Sequence, residues 1–268
     1  MAYLKTHSAL IYLSLFALIV CIGCGKSSSI NDYGVFLGLN GDEISRLRDY
    51  QMVVIEPSEF HQEQVQTLHR EGKTVYAYLN IGALENYRPY HDQFSHLVLG
   101  DYEGWPDEQW IDVSSYEWQD FVSEMGSECQ RSGYDGLFLD NADVYYFYPS
   151  ESIYSGLCSI LERLKALDMA VMINGGDTFV SRCIEDGHVF LIDSINQESV
   201  FTDITSPSGR QSEETTTYYK EYLSRASNSG LEVFLTEYKA GAALSKQIDE
   251  FCRQNGFHWY NAAGLDLR

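Results

Sequence analysis

Two periodicities alternate along this chain of 268 residues. Short apolar runs, rich in Val, Ile, Leu and aromatic residues and closed by Gly or polar residues, read as buried strands. Longer stretches with apolar residues three and four apart read as amphipathic helices. The clearest run is Gly136-Leu137-Phe138-Leu139, entered through Gly133-Tyr134-Asp135 and stopped by Asp140-Asn141-Ala142-Asp143. Strands are predicted over residues 33–39, 51–56, 74–80, 136–140, 170–174, 189–196, 231–237 and 258–260. Helices are predicted over residues 42–50, 59–72, 116–131, 151–168, 178–186, 213–229 and 243–255. Gly72, Gly133, Gly187, Gly230 and Gly256 stand where helices should stop. This alternation predicts an α/β fold, a (β/α)8 TIM barrel whose final helix is short or missing. A doubly wound open sheet is the alternative. That fold usually carries a Gly-rich phosphate loop, and no G-x-G-x-x-G or P-loop pattern occurs.

Polar residues recur where the apolar runs end. They are Gly38 and Asn40, then Glu56 with Glu59, then Asn80, Gly82 and Glu85, then Asp140, Asn141 and Asp143. Asn174, Gly175 and Asp177 follow, then Asn196, Gln197 and Glu198, then Glu237 and Tyr238, and last Tyr260 and Asn261. In a barrel these strand ends converge on one face, so a polar pocket is expected there. Carboxylates leaving a buried strand are costly to desolvate and should meet water, ligand or donors. Cleavage of a glycosidic bond usually needs two carboxyl groups across it. Asp140 and Glu198 fit that need, with Glu237, Glu85 and Asp143 as rivals. Residues 83–115 form a long connection that carries Tyr87, Tyr90, Trp105 and Trp110, and Tyr145-Tyr146-Phe147-Tyr148 follows the fourth strand. These aromatics either stack on sugar rings or pin the loop as a small core, and both readings stay open.

Charge narrows the partners. The formal net charge is −21, which argues against nucleic acid and is compatible with a cationic ligand. Cys129, Cys158, Cys183 and Cys252 are widely spaced, with no CxxC and no zinc-ligand pattern, so no metal is expected. A Cys129–Cys158 disulfide and buried free thiols are both open. The first residues read as a leader: Lys5, an apolar run from Ala9 to Val20, then Cys21-Ile22-Gly23-Cys24. Residues 1–23 are expected to be a signal peptide. Gly23-Cys24 resembles a bacterial lipobox with Cys24 as the lipidated residue, and 24–32 would be a flexible tether. The expectation is an exported chain, lipid-anchored to the bacterial membrane or secreted.

The run Tyr76-Ala77-Tyr78-Leu79-Asn80-Ile81-Gly82-Ala83-Leu84-Glu85-Asn86-Tyr87-Arg88 resembles the third-strand motif of glycoside hydrolases of the endo-α-1,4-polygalactosaminidase type, family 114. Gly133 to Asn141 is similar to their fourth-strand motif, and Asn174-Gly175-Gly176, Asn196-Gln197-Glu198-Ser199, Glu237-Tyr238 and Gly264-Leu265-Asp266 follow in the family's order. The resemblance runs from about Tyr33 to the end, so 33–268 is expected to be one hydrolase domain. It implies a (β/α)8 barrel, which agrees with the strand count, and no cofactor. It also implies a catalytic pair, Asp140 as nucleophile and Glu198 as acid/base. The substrate implied is an α-1,4-linked galactosamine polymer, cationic where deacetylated. Glu56, Tyr78, Asn80, Glu85, Arg88, Asn141, Asp143, Tyr145, Asn174, Gln197, Glu237 and Tyr238 are the expected substrate contacts. Glu56, Glu85 and Asp143 would pair with sugar ammonium groups. A monomer acting on polysaccharide is expected. A non-catalytic carbohydrate-binding lipoprotein, or a glycosidase of other specificity, on the same barrel are the alternatives.

Overall fold

The computed structural model describes residues 31–268, so the expected signal peptide, Cys24 and all but the end of the expected tether lie outside the described residues. Eight parallel strands form one sheet in sequence order. They are β1 (Asn31–Phe36), β2 (Tyr50–Ile55), β3 (Thr74–Asn80), β7 (Gly136–Asp140), β8 (Ala170–Asn174), β9 (Ser194–Glu198), β10 (Glu232–Tyr238) and β11 (His258–Ala262). The sheet curls until β1 lies beside β11, with Phe36 and Tyr260 ring centroids 5.3 Å apart across the seam. Helices α1 (Gln62–Arg70), α3 (Tyr116–Ser132), the short α4 (Val144–Phe147), α5 (Glu151–Lys165), α6 (Asp177–Asp186), α7 (Glu213–Asn228) and α8 (Ala242–Asn255) follow the strands. This is the expected (β/α)8 barrel. Residues 263–268 form a turn and an irregular segment, with no helix after β11.

Helix ends follow local chemistry. Ser150 and Ser212 cap α5 and α7 by accepting from Ile153 N (3.2 Å) and Thr215 N (3.0 Å). α3 stops at Gly133, whose φ of 91° gives the left-handed turn that lets the chain enter β7. Its buried face, Trp118, Val122, Gly126 and Cys129, recurs at helical spacing.

Three expectations need correction. β1 begins at Asn31, inside the expected tether, because Asn31 N donates to Asp49 O (2.7 Å). Residues 42–50 do not form an α-helix. A 3-10 turn over Gly41–Leu47 suffices, since Tyr50 already starts β2. The sixth barrel strand is Ser194–Glu198, not 189–196. Val189–Leu191 is a 3-10 turn whose apolar residue Leu191 packs inward, and Asp193 accepts from Val171 N (2.7 Å) just before the strand. Residues 83–115, the long connection, carry structure of their own. They hold the antiparallel sheet β4 (Ala83–Glu85), β6 (Glu108–Ile111) and β5 (Val98–Asp101), with the short α2 (His91–Phe94) between β4 and β5. All four described cysteines are free, so the Cys129–Cys158 disulfide is absent.

Candidate active site

The polar site is built from the barrel upward. Near the axis, Tyr33 Oη (3.2 Å) and Thr236 Oγ1 (3.0 Å) both donate to Asn196 Oδ1. That leaves the Asn196 amide nitrogen to donate to Asn174 Oδ1 (2.7 Å). The Asn174 amide nitrogen is thereby turned upward, where it donates to Asp140 Oδ1 (2.8 Å) and Glu198 Oε1 (2.9 Å). Two carboxylates thus share one donor. Their oxygens lie no more than 5.7 Å apart, the length of the two hydrogen bonds laid end to end. The relay is buried and saturated, so it fixes the direction of each amide.

Each carboxylate has further support. Asp140 accepts from Tyr78 Oη (2.9 Å) and from Asn141 N (3.0 Å). Glu198 accepts from Tyr238 Oη (2.6 Å). Burial and then the facing Glu198 carboxylate push the Asp140 pKa up to about 7, while the bonds from Asn174 and Tyr78 pull it down. Two carboxyls this close bind one proton between them near neutral pH. Backbone geometry aims these groups. The residues that follow Asp140, Asn174, Glu198 and Tyr238 are Asn141, Gly175, Ser199 and Lys239, all at positive φ (66°, 63°, 55° and 52°). This repeated left-handed step turns the chain off each strand, leaving the last inward side chain over the barrel mouth.

The mouth is a cavity of about 870 Å³. Asp140, Asn141, Asp143, Asn174, Glu198, Tyr78, Tyr238, Glu56, Glu85 and Arg88 line it. Arg88, however, is already engaged. It donates to Glu56 through Nη1 (3.2 Å) and Nη2 (2.9 Å), and to Glu85 through Nε (2.6 Å). Burial would raise the Glu56 pKa, but the bonds and charge of Arg88 outweigh it and the pKa is lowered. Asp143 accepts from Gly176 N (3.1 Å), and burial raises its pKa to about 6.

Four expected contacts do not line this cavity. Gln197 lies between the inward positions 196 and 198 of β9 and so points outward. Glu237 is fully buried and accepts from Phe201 N (3.0 Å), Thr202 N (2.9 Å) and Thr202 Oγ1 (2.5 Å). Asn80 accepts from Ala83 N (2.9 Å) at the turn into β4. Tyr145 packs toward Tyr154 and receives a hydrogen bond from Arg182 (2.9 Å).

Sequence reasoning also missed a residue. Glu108, from β6 in the inserted sheet, lines the cavity beside the pair. Its Oε2 accepts from Asn141 (3.0 Å) and Asn80 (3.3 Å), while Oε1 has no partner among the described residues. Burial, then Glu85, raises its pKa. Only its place before an apolar Trp110-Ile111 pair hinted at a strand. The insertion reaches this position because Gly82 has no side chain: a Cβ there would lie 1.8 Å from Asn141 O. The aromatics divide between the two readings. Trp110 is buried and stacks on Tyr102 (4.0 Å) and Phe147 (4.8 Å), whereas Tyr87 and Trp105 are exposed on the cavity wall.

A parallel barrel with two carboxylates facing across its C-terminal mouth has the layout of a glycoside hydrolase. The chain belongs to glycoside-hydrolase family GH114, whose model matches residues 31–264. It is 24% identical over 258 residues to an uncharacterized protein of Thermotoga maritima, spanning 87% of this chain and 78% of that one. It is similar to the glycoside hydrolase domain of PelA from Pseudomonas aeruginosa, with a TM-score of 0.74, 17% identity and coverage of 88% of this chain and 96% of that one. It is similar as well to Ega3 from Aspergillus fumigatus, solved in complex with galactosamine, with a TM-score of 0.69, 18% identity and coverage of 90% and 93%. At these identities the two structures speak for the fold.

Proposed function

We propose that this hydrolase cleaves α-1,4-linked, galactosamine-containing polysaccharide that is cationic where deacetylated, with Asp140 as nucleophile and Glu198 as acid/base. The observation that carries the pair is the shared Asn174 donor, which keeps both carboxylates at one point of the cavity floor. A separation of at most 5.7 Å between the bonded oxygens fits retention, for which about 5–5.5 Å between carboxyls is usual, against about 6.5–9.5 Å for inversion. Glu198 protonates the leaving oxygen while Asp140 attacks the anomeric carbon. The resulting glycosyl-enzyme is then cleaved by water that Glu198 deprotonates. This chemistry calls for no cofactor.

The substrate class rests on charge. Glu56, Glu59, Glu85, Glu108, Asp140, Asp143 and Glu198 line the cavity, against Arg88 and Arg268 as its cationic side chains. Such a cavity concentrates ammonium groups. Since Arg88 engages Glu56 and Glu85, the free oxygen of Glu108 is the better ammonium acceptor. The galactosamine bound to Ega3 points the same way. Incubating the purified protein with deacetylated galactosaminoglycan, chitosan and an α-glucan tests this. Shortening of the first alone supports the reading, and cleavage of only a neutral glucan overturns it. In the same reading the chain acts as a monomer and is exported, held at the bacterial membrane by lipid on Cys24. A Cys24→Ala variant that leaves the membrane fraction supports the anchor; one that stays there refutes it.

A further inference from the structure

We propose that Tyr146 and Phe147, on α4, form an outer sugar-binding platform that receives the polysaccharide where it leaves the catalytic cavity past Asp143. The inference rests on the polysaccharide reading above and extends it beyond the cavity. The run Tyr145-Tyr146-Phe147-Tyr148 follows β7, and packing uses only part of it. Tyr145 turns inward to Tyr154 and Phe179, with ring centroids 5.7 and 6.4 Å away. Tyr148 is half-buried against the core. Tyr146 and Phe147 instead face solvent, 63% and 46% exposed.

Both rings are held where a chain leaving the cavity would meet them. Asp143 lines the cavity, and its carbonyl accepts from Tyr146 N (2.8 Å) and Phe147 N (3.3 Å), so the platform starts within one helical turn of the cavity wall. Phe147 stacks on the buried Trp110, with centroids 4.8 Å apart. Trp110 stacks in turn on Tyr102 (4.0 Å), which lines the cavity, and the Tyr102 and Phe147 centroids are 6.5 Å apart. One buried indole therefore fixes a ring of the cavity wall and a ring outside it, about one pyranose apart. Tyr146 stands at 89° to Phe147, with centroids 5.1 Å apart, so the two rings make a corner. The apolar face of a pyranose packs on such a ring, and the ring quadrupole attracts the ammonium of a deacetylated unit. Covering Trp110 uses one face of Phe147. The rest of both rings is apolar surface left in water beside a polymer site, the mark of a ligand surface.

The test is steady-state kinetics of the purified full chain on two substrates. One is deacetylated galactosaminoglycan, and the other is galactosaminyl fluoride, a single sugar confined to the catalytic pair. Tyr146→Ala and Phe147→Ala should each raise KM for the polymer about 3–10-fold and leave kcat within about twofold, with both constants for the fluoride unchanged. Phe147→Trp, which keeps a ring, should hold the polymer KM near wild type. An unchanged polymer KM in both alanine variants would overturn the platform. Equal losses on polymer and fluoride would overturn it too, since they mark a structural role for the rings. Tyr146→Ala decides even if Phe147→Ala unsettles Trp110, because the Tyr146 ring is the more exposed. A wild type that cleaves neither substrate overturns the hydrolysis reading and the platform with it, whereas one that cleaves both, with unaltered variants, overturns the platform alone.

Discussion

Glu198 on β9 and Glu237 on β10 end neighbouring strands one residue out of step, for the register sets Glu198 beside Thr236. Side chains alternate across a strand, so this single step sends the two carboxylates to opposite faces. Glu198 faces the axis, shares the Asn174 donor with Asp140 and opens onto the cavity. Glu237 faces outward and takes the backbone amides of Phe201 and Thr202, tying the segment after β9 to β10. Tyr238, one residue further on, is back on the inner face and donates to Glu198. Burial raises the Glu237 pKa to about 7, much as for Asp140, so a perturbed carboxyl at a strand end does not by itself mark chemistry. What separates the two glutamates is where their donors come from: amide side chains and phenols of the barrel interior, or the backbone of a loop.

The sharpest break between them is catalytic. Glu198→Gln should lower kcat at least ~1,000-fold, while Glu237→Gln should keep it within about threefold of wild type. Steady-state rates on the cleaved polymer check this, and equal losses would erase the distinction. Stability should reverse the ranking. Asp140 has a folded pKa raised from 3.8 to about 7, so the folded state holds its proton where the unfolded chain has lost it. The stability this confers is complete below pH 4 and falls away as pH rises toward 7. Asp140→Asn, which cannot ionise, should match wild type near pH 3 and exceed it at pH 8 by up to about 4 kcal/mol, read from urea melts at both pH values. Glu237→Ala strands three donors in a buried site and should cost about 3 kcal/mol at neutral pH by the same melts, with kcat in the folded fraction unchanged. Asn174→Ala removes the shared donor. A fall in kcat of about 100-fold is expected, and the acidic limb of the pH–rate profile should move to higher pH, because that bond lowers the Asp140 pKa.

The barrel was legible because parallel strands buried on both faces read as apolar runs, as Val53-Val54-Ile55 and Leu137-Phe138-Leu139 do. The sixth strand was misplaced for the opposite reason. Its inward positions are Ser194, Asn196 and Glu198, so the polar relay overwrites the apolar signal, and the neighbouring Val189–Leu191 turn looks more like a strand than the strand does. The polar strand ends were visible as a set. Their parity was not, since a one-residue error in a strand boundary turns Gln197 or Glu237 from the wall of the cavity into its backing. Glu108 escaped notice because antiparallel pairing of three short strands leaves no local period, and its place beside Asp140 depends on the fold of the whole insertion.

The pairing of Asp140 with Glu198 is tested most directly by trapping. Glu198→Gln, given a galactosaminyl fluoride whose departure needs no acid, should accumulate a glycosyl ester that peptide mapping finds on Asp140. A label on any other carboxylate, or first-formed sugar of inverted configuration from the wild type, would contradict the pair and its roles.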